Sequence, residues 1–126
     1  MSALVVLGLV RDLFFRSKLD AVAESAGANL YYASDLDAAA RQCLDKRPEL
    51  VLVDLSDAAF PAAATAERLR AELPDSPIIG FASHVDLKPL RAARNAGFAV
   101  ALSRSEFTAR LPELLKEGFR VPKSRP

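Results

Sequence analysis

At 126 residues, 51% of them hydrophobic, the chain suits one compact domain that buries its apolar side chains without disulfides or a structural metal. Seventeen Lys and Arg against sixteen Asp and Glu leave a formal charge of +1, which excludes a whole-domain field aimed at nucleic acid or an anionic membrane. The single cysteine, Cys43, excludes an internal disulfide and a multi-thiolate metal site. No apolar run approaches the roughly 18 residues that span a bilayer, and no basic region precedes a long apolar stretch at the N-terminus, so a soluble cytoplasmic protein is expected.

Apolar strands alternate with segments of helical period, five of each. Residues 3–9 predict a first strand, followed by a helix from about Leu13 to Ser25 with Asp12 as its N-cap. In that helix Phe14 and Phe15 divide between surface and core. A short second strand covers 28–32 and ends on Tyr31 and Tyr32. Ser34 then caps a helix whose Leu36, Ala39, Ala40, Cys43 and Leu44 share one face, which makes Cys43 a buried small hydrophobe. Pro48 closes that helix. Residues 50–54, Leu-Val-Leu-Val-Asp, form a third strand that delivers a carboxylate to its carboxyl end, where open α/β sheets place their sites.

Pro61 sits in the first turn of a third helix running to about Leu73. After the turn bracketed by Pro74 and Pro77, residues 77–82 form the fourth strand. Leu87, Leu90, Ala93 and Ala96 mark the inner face of a fourth helix ended by Gly97. Residues 98–102 make the fifth strand; Phe107, Leu111, Leu114 and Leu115 line a last helix that stops at Gly118. Alternating βα units with continuously apolar strands imply a parallel sheet covered on both faces, a three-layer α/β sandwich. The domain is expected to span 1–118, with 119–126 as a basic, flexible C-terminal tail carrying Arg120, Lys123 and Arg125.

Five βα units, an Asp ending the third strand and a basic residue after the fifth resemble the receiver domain of bacterial two-component response regulators, over about residues 3–117. The resemblance implies a flavodoxin-like (βα)5 fold with strand order 2-1-3-4-5. It implies a pocket at the strands' carboxyl ends, in which an Asp accepts a phosphoryl group from a histidine kinase beside Mg²⁺. Pro48 to Asp54 looks like the family's third strand, so Asp54 takes the phosphoacceptor position. Counting back from Gly27 puts Val10 and Arg11 on the family's acidic pair, and a one-residue gap puts Arg11 and Asp12 there instead. Either way an Arg replaces an acid. Ala82 falls on the hydroxyl position with Ser83 beside it, Ala101 on the aromatic switch position, and Arg104 on the lysine. This is the pattern of an atypical, or pseudo-, receiver.

Close carboxylates and a phosphoryl group repel one another, at about 4 kcal/mol per unit-charge pair 4 Å apart at an effective dielectric near 20, and Mg²⁺ relieves that repulsion. An inward Arg11 would repel the ion and neutralise Asp54 directly, so the sequence predicts Asp54 paired with Arg11, Arg104 or both. Each residue also has a plainer reading. Asp54 accepts backbone N–H groups in its loop, Asp12 only caps a helix, Arg11 and Arg104 point to solvent, and Ser83 or Asp86 caps the fourth helix. His84 reads as a surface loop histidine.

The expected function is a stand-alone signalling and protein-interaction module, independent of Mg²⁺-dependent phosphorylation and without a cofactor. It would meet another protein, or itself, through the face of the fourth helix, fifth strand and fifth helix. Arg91, Arg94, Arg104, Glu106 and Arg110 supply that face with charge. The alternative is a working phosphoacceptor served by a histidine kinase, with Asp12 and Asp54 holding Mg²⁺, Ser83 as the hydroxyl and Arg104 as the lysine. Independent enzymatic activity is not expected from one His, one Cys and scattered acids. The first βα turn has a single glycine, so a nucleotide-binding loop is not expected, and nucleic acid has only the tail to bind.

Overall fold

The computed structural model describes residues 3–83 and 87–119. Five strands, β1 (Val5–Leu9), β2 (Asn29–Tyr32), β3 (Leu50–Asp54), β4 (Ile78–Ala82) and β5 (Val100–Ser103), alternate with five helices. The helices are α1 (Leu13–Ala26), α2 (Leu36–Lys46), α3 (Ala62–Glu72), α4 (Leu87–Asn95) and α5 (Arg104–Glu117). All neighbouring strands pair in parallel, in the order β2-β1-β3-β4-β5. This is the flavodoxin-like sandwich expected from the alternation of periods.

Side chains alternate across the sheet, and the two faces have separate cores. Val6, Leu50, Leu52, Ile79 and Phe81 pack with Phe15 and Leu19 of α1 and Phe107, Leu111 and Leu114 of α5. Leu7, Leu9, Val51, Val53 and Ile78 pack on the other face with Ala39 and Cys43 of α2, Ala66 and Leu69 of α3, and Leu90 and Ala93 of α4. Central β3 is buried throughout, which explains its unbroken apolar run. Asp54 has the parity of Leu50 and Leu52, so its side chain belongs to the α1/α5 face.

Asp12 caps α1, its carboxylate accepting from the N–H groups of Phe14 and Phe15, and Gly27 ends the helix at φ 77°. Phe15 is buried while Phe14 is 88% exposed. The cap of α2 is Asp35, not Ser34: its carboxylate accepts from the Ala38 N–H at 2.7 Å. Ser34 instead receives a hydrogen bond from Arg16. Pro61 stands at the cap position of α3, just before the helix.

Leu44 and Leu87, both expected on inner faces, are exposed. Leu44 lies about a third of a turn and Leu87 about a quarter-turn from the centre of its buried arc, where Ala39 with Cys43 and Leu90 with Ala93 already fill the contact. The fifth strand begins at Val100, with Phe98 buried in the loop before it. Phe119, assigned to the tail, packs partly buried against the α1/α5 core. The rest of the tail, 120–126, and His84 and Asp86 lie outside the described residues. Among the described residues no helix is long and apolar enough to cross a membrane.

Two positions make the packing testable. A Cβ at Gly80 would stand 2.5 Å from Leu55 Cδ1 and 3.0 Å from the Phe98 ring, so Gly80→Ala should cost about 1–3 kcal/mol in urea unfolding. Thr65 on α3 is fully buried and its hydroxyl has no hydrogen-bond partner among the described residues. Thr65→Val should therefore be neutral or stabilising by about 1 kcal/mol in the same measurement, whereas a loss would reveal a hidden partner for the hydroxyl.

Candidate functional site

The carboxyl ends of β1, β3 and β4 and the junction of β5 with α5 converge on Asp54. Ending a central strand, its side chain is only 7% exposed and sits among the side chains of the α1/α5 face. Oδ1 accepts the Ser56 backbone N–H at 3.0 Å, the Asx-type contact that a strand-end carboxylate makes when its loop turns back. Oδ2 lies 3.8 Å from an Arg104 terminal nitrogen, an ion pair longer than a hydrogen bond. Burial pushes the Asp54 carboxyl up from its ordinary range. The Ser56 N–H and Arg104 oppose that shift, while the charges of Asp57 and Asp12 add to it.

Arg104 is the first residue of α5, where Ser103 and Glu106 form a reciprocal capping box. Its guanidinium lies 4.6 Å from the Phe15 ring centroid and 5.5 Å from that of Phe81. Those rings belong to one aromatic cluster in which Phe81 stacks on Phe107 at 4.2 Å and meets Phe15 at 5.2 Å. A planar, weakly hydrated guanidinium can rest on an aromatic face while directing charge at a carboxylate, so the cluster and Asp54 hold Arg104 from two sides. Arg104 therefore reaches this site, where the sequence placed it beside Asp54, while 38% of its side chain stays exposed.

Arg11 enters the same end of the sheet but pairs with Asp57. Its Nε and Nη2 donate to the two Asp57 oxygens at 2.7 and 2.8 Å, a bidentate fork. Asp57 also accepts the Ala59 N–H, and its own N–H donates to the Asp54 carbonyl. The Arg11 hydrogen bonds hold the Asp57 carboxyl below the usual range against partial burial, with the Ala59 N–H and the Arg11 charge acting the same way. The expected Arg11–Asp54 contact is thus replaced: Asp57 lies further along the β3–α3 loop and offers both oxygens to a long side chain that is half-exposed. Asp57 and Ser56 had no part in the sequence reading. An unmatched Arg after β1 facing an acid three residues past β3 was the signal that could have found the first.

The other candidate positions are placed as follows. Val10 is buried in the α1/α5 core and contributes only its carbonyl, which accepts from Arg16 Nε. Asp12 is exposed and committed to its cap. Ala82 and Ala101 are buried, without a hydroxyl or a ring to move. Ser83 is half-buried, and its N–H donates to the Ser56 hydroxyl at 3.1 Å, tying the loop after β4 to the loop after β3. Arg91, Arg94, Glu106 and Arg110 are exposed on α4 and α5, the two outer arginines nearest Glu106 helping to hold its carboxyl low after its bonds to Ser103.

Mg²⁺ asks for a near-octahedral shell of free oxygens. Here one Asp12 oxygen serves two cap N–H groups and both Asp57 oxygens serve Arg11, while Asp54 is divided between Ser56 and Arg104. Among the described residues no three His, Cys, Asp or Glu side chains gather as metal ligands. Two guanidinium groups flank the carboxylates. The donor set does not fit the ion.

The fold has many solved relatives in structure. The chain is similar to a response regulator from Hahella chejuensis (14% identity, 98% of this chain and 100% of that chain, TM-score 0.80). It is also similar to a response regulator from Thermotoga maritima (19%, 92% and 97%, TM-score 0.76). A third is the receiver domain of a sensor histidine kinase from Pseudomonas aeruginosa, which has a magnesium ion coordinated in its active-site cleft (18%, 91% and 96%, TM-score 0.77). No family model and no curated protein matches the sequence. The chain has the receiver fold, and at these identities the likeness is one of fold.

Opposite pKa directions at two neighbouring aspartates give a pH test. Asp57, lowered in the fold, contributes stability above the unfolded Asp range, lost as pH falls through its folded value. Asp54, raised, binds its proton more tightly when folded, so its ionisation erodes stability as pH rises from the unfolded range through its folded value. Asp54→Asn should therefore gain roughly 1 kcal/mol at neutral pH by urea unfolding, and the gain should shrink as pH falls through 4. A gain that grew on acidification would contradict the assignment.

Proposed function

We propose that this chain is a receiver-like signalling module that acts through protein contact and does not depend on Mg²⁺-assisted phosphorylation of Asp54. One observation carries the reading. The carboxylate in the phosphoacceptor position is buried against Arg104, which is itself seated on Phe15 and Phe81. Transfer of a phosphoryl group to Asp54 would add charge to a site whose counter-charge is a fixed guanidinium, without the metal that stabilises the equatorial oxygens. Ala82 and Ala101 supply neither the hydroxyl nor the aromatic ring through which receivers couple that event to their surface.

The partner surface is the outer face of α4, β5 and α5. Arg91, Arg94 and Arg110 stand exposed around Glu106, a basic-rich set that suits an acidic protein surface or the Glu and Asp of a second copy. Such contacts act on rate and specificity and weaken with salt.

Incubation with acetyl phosphate and Mg²⁺ followed by intact-mass measurement tests the reading. The wild-type chain should show no phosphoryl adduct under conditions that label a metal-binding receiver fully. A Mg²⁺-dependent adduct that disappears in Asp54→Asn would overturn the proposal. It would favour a working phosphoacceptor that uses Asp12 and Asp54 for the ion, Ser83 for the hydroxyl and Arg104 for the lysine.

A further inference from the structure

Three carboxylates, Asp12, Asp54 and Asp57, share the carboxyl end of the sheet, close enough that Asp12 and Asp57 each raise the proton affinity of Asp54. Arg104 answers Asp54 alone. Of the other two, Asp12 is held by the N–H groups it caps, and Asp57 is met by Arg11, whose two nitrogens take both of its oxygens at 2.7 and 2.8 Å. The same contact is a tether. Arg11 follows β1, Asp57 lies in the loop after β3, and that loop is drawn back on Asp54 by the Asp57 N–H to Asp54 carbonyl bond at 3.2 Å.

We propose that Arg11 is the built-in cation of this pocket: it performs the neutralising and bridging work of a divalent ion with a covalently attached guanidinium, and its presence is what denies the pocket a metal. The inference rests on the metal-independent reading given above and assigns that property to one residue.

The physical basis is charge and donor count. A guanidinium carries its charge at any accessible pH and offers donors only, so it cannot share oxygens with a metal. Exchanging it for a carboxylate changes the local charge by two units. It also frees both Asp57 oxygens and adds two more beside Asp54. Four carboxylates would then face a single guanidinium, Arg104, and a hard cation with oxygen ligands is the chemistry that relieves such an excess. Arg11 is half-exposed and belongs to neither core, so the exchange should lose the ion pair's contribution while leaving the packed fold in place.

Calorimetric titration with Mn²⁺ and Mg²⁺ reads the outcome, with thermal unfolding in the same ions as a second measure. The wild-type chain should show no saturable binding through the millimolar range and no ion-dependent rise in Tm. Arg11→Asp should bind with an affinity at least about tenfold above the wild type and gain Tm with ion concentration, as a ligand selective for the folded state requires. Adding Asp54→Asn to Arg11→Asp should remove most of that gain.

Wild-type binding as tight as that of Arg11→Asp would overturn the proposal, as would a folded Arg11→Asp that ignores both ions. If Arg11→Asp fails to fold, Arg11→Gln decides. Loss of the cation alone should give a smaller but measurable gain in affinity over the wild type, and no gain overturns the proposal. Failure here is distinct from failure of the proposed function. A wild-type phosphoryl adduct that persists in chelator would show Asp54 phosphorylated without an ion, which sinks the module that works without phosphorylation and leaves the role of Arg11 standing, whereas wild-type Mg²⁺ binding removes that role.

Discussion

A carboxylate at the end of a fully buried central strand has to be reconciled with the hydrophobic cores on both sides of it, and Arg104 is how this fold does so. Strand alternation sends Asp54 to the same face as Leu50 and Leu52, toward Phe15, Phe81 and Phe107. A bare charge there would be costly, and the loop supplies only one direct donor, the Ser56 N–H. The balancing charge comes from the first turn of α5. A guanidinium on Phe15 can be both part of the apolar cluster and the counter-ion of Asp54. The position of α5 against β4, the closure of the aromatic cluster and the charge state of the strand end are thereby linked through one side chain.

That linkage is specific to arginine. An ammonium at the same place would be a compact, strongly hydrated charge with no plane to lay on a ring, free to leave the pocket for water. The guanidinium exchanges hydration for contact with two rings and a carboxylate. The side chain keeps 38% of its surface exposed, so the pocket and the face of α4, β5 and α5 meet at Arg104. The rest of that face carries Arg91, Arg94 and Arg110 around Glu106. Alanines at 82 and 101 offer neither a hydroxyl nor a ring to couple with Asp54, which leaves Arg104 and the Phe81–Phe107 stack as the contacts that join Asp54 to α5.

The fold was legible because its signals are periodic and mutually consistent. Five apolar runs alternate with five amphipathic segments, and in the unbroken run of β3 the strand reading matches the observed Leu50–Asp54 to the residue. The misreadings fall where two candidates of similar propensity stand side by side. Ser34 and Asp35 are both good caps, and the choice went to the one whose carboxylate could reach the Ala38 N–H after Ser34 was taken by Arg16. Leu44 and Leu87 sit at the edges of their helical arcs, where period alone does not distinguish a rim from a core position.

The site was half legible for a different reason. Asp54 and Arg104 announce themselves by ending a strand and by following one. The partner of Arg11 did not, because a long side chain with two donors chooses among acids within its reach by geometry that no spacing encodes. Both acids give an oxygen to a loop N–H, but Asp57 turns both of its oxygens to the Arg11 fork while Asp54 faces Ser56 and Arg104. The role of Phe15 was hidden too: its spacing announces only a core residue, and only the packed sheet shows that Arg104 lies on its ring.

The two ion pairs differ in what they can be for. Arg104–Asp54 is shielded on the carboxylate side and backed by rings, so removing Arg104 would leave a buried carboxylate without its counter-charge. It is a structural necessity once Asp54 is present. Arg11–Asp57 is different, since Arg11 is 52% exposed and its charge is screened by water and salt. Such stability as it lends comes from the bidentate geometry and from a carboxylate that is only 14% exposed. What the fork does change is the chemistry open to the pocket, because it withdraws both Asp57 oxygens from any incoming cation and leaves a permanent positive charge at the entrance. A neutral residue would have left the carboxylates in need of an ion, and the guanidinium removes the need along with the means.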